Sequence, residues 1–225
     1  MRYPGGKGKC YQRIINLMPA HSTYIESHLG GGAVMRHKKS AKTNIGVDRD
    51  DRVIERWREL PSMCELVSGD ATEFLRGYAF QGGELVYADP PYLKSTRRSA
   101  GKLYRHDLDD VDHVRLLEVL KDLPCMVMIS GYPSTLYNEA LAGWRRVSFM
   151  AKTHVDRREE CVWLNFEAPL QLHDGAHLGA TFRERQSVKR RNQRWIERLD
   201  RMPAKERGHL LSLIRDRYEL EAMSP

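Results

Sequence analysis

Apolar positions along the first two thirds of the chain fall into short runs that alternate with stretches of helical period. Tyr24-Ile25 is strand-like and ends before Gly30-Gly31-Gly32, where three glycines permit a tight turn and close backbone approach. Ala33, Val34 and Met35 begin a helix. Asn44 to Asp48 reads as a second strand, and Val53, Ile54, Trp57 and Leu60 share one face of a helix that Pro61 ends. Leu66-Val67 leads into Gly69-Asp70-Ala71, with a short helix predicted over Thr72 to Tyr78. Leu85 to Ala88 predicts a central strand running into Asp89-Pro90-Pro91-Tyr92. This alternation predicts a three-layer α/β fold whose first ligand lies beyond the carboxyl ends of parallel strands.

Further on, Asp109 is positioned to cap a helix whose Val111, Val114, Leu117 and Leu120 face the core. Cys125 to Ile129 is a buried strand closed by Ser130-Gly131, and Ser134 starts another helix. Arg145 to Thr153 and Glu160 to Phe166 alternate as two antiparallel strands, with Trp163 and Phe166 as packing groups and Asn165 as a candidate pocket support. The pattern changes near Glu167. Residues 168–180 lack periodic hydrophobicity and read as a connector, followed by a basic helix over Phe182 to Leu199 and an apolar-faced helix around Leu210, Leu211, Ile214 and Tyr218. The expected division is a catalytic domain over 1–166 and a connector with a basic helical extension over 167–225.

With 225 residues, 41% of them hydrophobic, the chain has material for one substantial core and a small appendage. Cys10, Cys64, Cys125 and Cys161 are widely separated and lack zinc-knuckle or redox spacing, so they read as reduced, mostly buried thiols. The start MRYPGGKGK has no apolar targeting core, and no later segment supplies the roughly 20 apolar residues that cross a bilayer. A soluble cytoplasmic protein with no membrane partner is the expectation. The formal charge of +7 favours a polyanionic partner without identifying one.

The sharpest chemical signal is Asp89-Pro90-Pro91-Tyr92 at a strand end. The Asp89 carboxylate and the carbonyl that the rigid Pro90-Pro91 pair presents are two acceptors for one planar amine, and Tyr92 offers a face for stacking. Such an amine has its lone pair delocalised into a ring. Orienting it, and stabilising positive charge as it acquires a methyl group, favours direct transfer without a metal or a covalent intermediate.

In order and spacing, Arg2-Tyr3-Pro4-Gly5-Gly6-Lys7, Tyr24 through Val34, Gly69-Asp70-Ala71, Asp89-Pro90-Pro91-Tyr92 and Glu160 through Phe166 resemble the D12 class of adenine-specific DNA methyltransferases, particularly compact prophage-like members, over residues 1–166. The resemblance implies a Rossmann-like three-layer α/β/α sandwich with a mixed seven-stranded sheet. It also implies S-adenosyl-L-methionine as cofactor and methylation at N6 of an extruded adenine in double-stranded DNA, in the setting where a cognate restriction endonuclease can be a partner. Asp89, Pro90, Pro91 and Tyr92 are then catalytic. Tyr3, Pro4, Gly5, Gly6 and Lys7 line the cofactor's methionine portion, with Lys7 available to its carboxylate. Glu26, His28, Gly30, Gly31 and Gly32 approach the cofactor, Asp48 bonds its ribose hydroxyls, and Asp70 with Ala71 meets its adenine.

Two departures stand out. His28 replaces the family's usual phenylalanine and Ser27 a common proline, making this wall more polar. Only Thr72 through Ala88 separates Gly69-Asp70-Ala71 from Asp89, which leaves no room there for the long target-recognition insertion of many relatives. DNA contacts are therefore expected from Arg97, Arg98, Lys102 and Arg105 and from the basic helix, above all Lys189, Arg190, Arg191 and Arg194. Over residues 183–201, eight bases against three acids leave +5. Trp195 reads as a core anchor of that helix. An RNA adenine methyltransferase and a catalytically weak DNA-binding protein of the same fold stay open as alternatives.

Overall fold

A computed structural model describes residues 6–8, 10–97, 104–152 and 157–218. The chain divides into two compact units, residues 1–175 and 176–225. The first holds one seven-stranded sheet: β1 (Thr23–Glu26), β2 (Thr43–Asp48), β3 (Glu65–Ser68), β4 (Glu84–Ala88), β5 (Met126–Gly131), β6 (Arg145–Lys152) and β7 (Arg157–Leu164), in the order β3-β2-β1-β4-β5-β7-β6. The first five strands are parallel. β7 runs antiparallel between β5 and the edge strand β6, giving the mixed sheet that the resemblance implies.

Strand alternation divides the core in two. Tyr24, Leu85, Tyr87, Met128, Val162 and Leu164 face one layer, with α1 (Tyr11–Ile15), α2 (Ala33–His37) and α3 (Asp51–Arg58). Ile25, Ile45, Val47, Val86, Ala88, Val127, Ile129 and Trp163 face the other, with α4 (Ala71–Gly77), α5 (Asp110–Asp122) and α6 (Thr135–Ala140). Helix starts follow capping chemistry: the side chains of Asp50, Asp70, Asp109 and Ser134 each accept from first-turn backbone N–H groups. All four cysteines are free.

Three expectations need correction. The buried residues of α5 are His113, Leu116, Leu117, Val119 and Leu120, while Val111 and Val114, expected on the core face, are 67% and 39% exposed. These positions still recur at helical spacing, but the pattern hides behind a histidine, which the fold accommodates by pairing its Nδ1 with the Tyr137 hydroxyl at 3.0 Å. Asn165 serves the sheet instead of the strand-end site: it accepts from Val127 N–H and donates to the Cys125 carbonyl, both at 2.8 Å, at the start of β5 and thus at the end of the sheet opposite the carboxyl ends of the parallel strands. The early part of the supposed connector is pinned to the first unit, where Leu172 bridges to Pro19, His173 stacks on His21 and Asp174 accepts from Lys39 N–H. Backbone bonding does this work, so hydrophobic period gives no sign of it.

The second unit contains α7 (Phe182–Asp200) and α8 (Ala204–Tyr218), and neither helix has a buried residue among those described. Trp195 is accordingly no core anchor: it is 58% exposed, with the Arg198 guanidinium 5.7 Å from its ring centre.

The turn after β1 depends on glycine. Gly30 and Gly32 adopt φ of 45° and 52°, and a Cβ on Gly32 would lie 2.1 Å from Trp57 Cζ2. Left-handed strain and overlap add, so Gly32→Ala is expected to cost about 2 kcal/mol or more and lower Tm by about 5 °C or more, measurable by thermal unfolding; an unchanged Tm would show that the turn tolerates a side chain.

Candidate active site

The strand order reverses between β1 and β4, whose helical connections leave on opposite faces, so a crevice opens beyond their carboxyl ends. Glu26 ends β1 and Asp89 follows β4 directly. Glu26 is buried, and its Oε2 accepts from the Tyr24 hydroxyl at 3.0 Å and from Met35 N–H at 2.9 Å. Burial, partly opposed by these bonds, pushes its carboxyl up to about 8.

The glycine turn is tied to the next strand. Asp48 Oδ2 accepts from Gly30 N–H at 2.7 Å and Oδ1 from Asp50 N–H at 2.9 Å, while Trp57 Nε1 donates to the Gly30 carbonyl at 3.0 Å. Asp48, expected at ribose hydroxyls, therefore already braces the turn, with lone pairs left on both oxygens. Asp70 caps α4 through Oδ1, which accepts from Thr72 and Glu73 N–H; Oδ2 lies 3.8 Å from Arg49. Ala71 is buried at the first position of that helix. His28 is half-buried, with Nδ1 3.0 Å from Ser27 Oγ, and burial keeps its ring neutral at neutral pH.

Asp89 is the centre of the site. Lys7 Nζ donates to both carboxylate oxygens at 2.6 and 2.7 Å, with side-chain exposures of 5% for Lys7 and 15% for Asp89. Lys7, expected at the cofactor's carboxylate, is thus brought to the Asp89-Pro90-Pro91-Tyr92 turn. Burial opposes both charges. At Lys7 the surrounding negative groups, Asp89 first, overcome it and hold the ammonium well above its usual range; at Asp89 burial outweighs Lys7 and raises the carboxyl. The bidentate contact favours the ionised pair over a neutral one. Pro90 is buried and Pro91 half-buried. The Tyr92 ring is partly open, with its centre 4.8 Å from Lys7 Nζ, while its buried hydroxyl faces Asp89 without completing a hydrogen bond.

Residues to which the sequence assigned no role at the site complete the surroundings. Glu160 of β7 comes within 3.7 Å of Cys10 Sγ and adds a negative charge near Lys7 and Asp89. Tyr132, just past β5, meets Tyr92 edge to face with ring centres 4.6 Å apart. Arg158 lies over the Tyr132 ring at 3.9 Å and donates to the Thr96 carbonyl at 2.7 Å. Only the three-dimensional strand order brings these side chains together.

Arg97 is withdrawn from the proposed DNA surface. Its guanidinium forms a bidentate pair with Asp107 at 2.6 and 2.8 Å, and Nε donates to the Tyr92 carbonyl at 2.6 Å. A guanidinium committed to three bonds inside the protein fixes the Asp89-to-Tyr92 turn instead of meeting phosphate. Arg105 is half-exposed and reaches Asp50 at 3.1 Å. Gly6 is exposed at the site's amino-terminal side; Tyr3, Pro4, Gly5, Arg98 and Lys102 lie outside the described residues. In the second unit Lys189, Arg190, Arg191 and Arg194 are all exposed, and Phe182, Gln186, Arg190 and Arg194 line a shallow groove along α7.

No protein-family model matches the chain, and no curated protein matches it. Solved structures similar to it include TrmK of M. capricolum with S-adenosyl-homocysteine, at 8% identity and TM-score 0.47, covering 93% of this chain and 96% of that one. An rRNA methylase from Streptococcus thermophilus gives 13% and 0.44, covering 73% and 96%. Magnesium protoporphyrin IX methyltransferase from Synechocystis PCC 6803 with bound SAM gives 10% and 0.43, covering 69% and 80%. At such scores these likenesses carry no argument for this chain. Its own strand order and strand-end groups do.

The Arg97–Asp107 pair carries a pH signature. Hydrogen bonds from Arg97 hold the Asp107 carboxyl below its usual range. Its contribution is therefore present above the unfolded carboxylate value of about 3.9 and is lost as pH falls through the lower folded value. Arg97→Ala should cost on the order of 1–3 kcal/mol at pH 7, since it leaves the partly covered Asp107 carboxylate without its charged donor, and the gap from wild type should narrow below about pH 4. Denaturant unfolding across pH checks this, and a pH-independent gap would refute it.

Proposed function

We propose that this chain is an S-adenosylmethionine-dependent methyltransferase that modifies N6 of adenine in double-stranded DNA. The observation that carries the reading is the buried, cation-paired Asp89 carboxylate, which leads the Asp-Pro-Pro-Tyr turn at the point where the sheet order reverses. The strand-end groups suit the cofactor in chemistry and charge. A positive-φ glycine turn lets backbone approach closely, and Lys7, Asp89 and Glu160 leave one net negative charge for a cationic donor.

Glu26, the Gly30-to-Gly32 turn, Asp48 through its remaining lone pairs and Asp70 through Oδ2 would hold that cofactor, with Gly6 and Ala71 beside them. When bound, it supplies an electrophilic methyl group on a sulfonium. The chain's own part is orientation. Asp89 and the Pro90 carbonyl accept from the two amine hydrogens, Tyr92 stacks on the base, and Arg97 fixes the turn through the Tyr92 carbonyl. As the amine becomes positive, the Asp89 carboxylate stabilises it and assists proton loss.

An extruded base must be drawn from DNA held elsewhere, since Asp89 is only 15% exposed. The exposed arginines of α7 supply phosphate attraction without reading sequence.

Incubation with labelled cofactor and with DNA or RNA pools, followed by nucleoside mass spectrometry, is expected to yield N6-methyladenine in DNA; product in RNA alone would reassign the substrate, and no product in either would remove the activity. Asp89→Ala should lower kcat by about 10²-fold or more with cofactor affinity little changed, so a near-normal rate would sink the role of Asp89. Removing Arg190 and Arg191 together should weaken DNA binding and flatten its log–log salt dependence by about 0.9 per lost phosphate contact, with a smaller effect on kcat at saturating DNA; unchanged affinity would clear α7 of a binding role.

A further inference from the structure

We propose that Lys7 is the counter-ion that keeps Asp89 an anionic acceptor during transfer, a positioning residue for the reaction and not a ligand of the cofactor's carboxylate. The inference rests on the catalytic reading of Asp89, and geometry carries it. Lys7 stands 82 residues from Asp89 in sequence, yet its ammonium is buried against both carboxylate oxygens at 2.6 and 2.7 Å. A carboxylate has about four lone-pair sites, so two contacts from Lys7 leave room for the substrate amine.

The other titratable groups facing Asp89 offer no substitute. Tyr87 and Tyr92 come from its own strand and turn, Tyr24 and Glu26 from β1, and Cys10 from the segment leading into α1. Glu160 approaches from β7, Tyr104 from the loop before α5, and Tyr137 from α6. Each is neutral or anionic, and the nearby Arg97 charge is spent on Asp107. Were Lys7 drawn away to another carboxylate, Asp89 would be left buried among groups that favour its protonation. A protonated Asp89 keeps a carbonyl acceptor but loses the negative charge that the developing cation needs.

The sign follows. Without Lys7 the Asp89 carboxyl titrates at higher pH, so activity is lost at neutral pH and returns as pH rises. Lys7→Met in the full chain should therefore move the acid limb of the kcat–pH profile upward by a unit or more, lowering kcat at pH 7 about tenfold while approaching the wild-type rate at high pH. Lys7→Arg should hold the wild-type limb, and the cofactor KM should change less than about threefold in either variant. An unmoved limb with a cofactor KM raised tenfold or more would overturn the proposal and make Lys7 a cofactor ligand.

Should Lys7→Met fail to fold, the double variant Lys7→Met/Asp89→Asn decides. Recovery of thermal stability would trace the damage to an uncompensated carboxylate, as proposed, and continued unfolding would make Lys7 a packing residue and refute it. Titration of the Asp89 carboxyl by ¹³C NMR in wild type and Lys7→Met reads the same coupling without any methyl transfer: a raised value on removing Lys7 supports the pairing even if the substrate assignment falls, and an unchanged value defeats it.

Discussion

Everything at the site follows from β1 and β4 lying side by side and parallel while their connecting helices depart to opposite faces of the sheet. Neither connection covers the space beyond Glu26 and Asp89, so the crevice is a product of topology before any side chain is chosen. Past these strand ends Ser27 N–H still donates to the Tyr87 carbonyl and Leu29 N–H to the Val47 carbonyl. The chain continues with short turns braced by side chains: Asp48 to Gly30, Trp57 to the Gly30 carbonyl, Arg97 to the Tyr92 carbonyl. These bonds convert a gap in the sheet into fixed surfaces of known polarity.

The same placement makes charge costly there. Glu26 is buried and Asp89 largely covered, and each carries a different remedy. Glu26 takes two neutral donors and is raised to about 8, so it enters neutral pH largely protonated. Asp89 takes a full cation. Two carboxyl groups at adjacent strand ends are thus held in different states by different partners, which is the pattern by which one site assigns unlike roles to like groups.

Much of the fold was legible because its signals are local. Strands β1 to β5 are short apolar runs, and Asp50, Asp70, Asp109 and Ser134 mark helix starts with side chains that cap in the way their chemistry dictates. The illegible parts are those where a distant partner decides. His113 is a core residue only because Tyr137 meets its ring. Residues 172–174 join the first unit through a backbone bond from His173 N–H to the Met18 carbonyl and through the Asp174 carboxylate, which accepts from Lys39 N–H, without apolar periodicity. At the site, the Asp-Pro-Pro-Tyr turn was readable as a unit, whereas Glu160, Tyr132 and Arg158 reach it by strand pairing across the sheet. Arg97 misled for the converse reason: a basic residue in a basic loop reads as exposed until Asp107 is seen beside it.

Charge is also divided between the units in a way that suits two unlike ligands. Over residues 176–225, twelve bases against seven acids give +5, most of the chain's +7, which leaves the first unit close to neutral at +2. Had the excess lain around the crevice, it would have opposed a sulfonium donor as strongly as it attracted a polyanion. With the excess in the helical unit, the exposed arginines there present a positive field that would attract the proposed DNA substrate, where salt screens it. Inside the first unit the charges that matter are buried pairs, screened far less. Under the proposed function, binding and chemistry would then respond differently to ionic strength, because the field that recruits DNA and the charge that orients the amine would belong to separate parts of the chain.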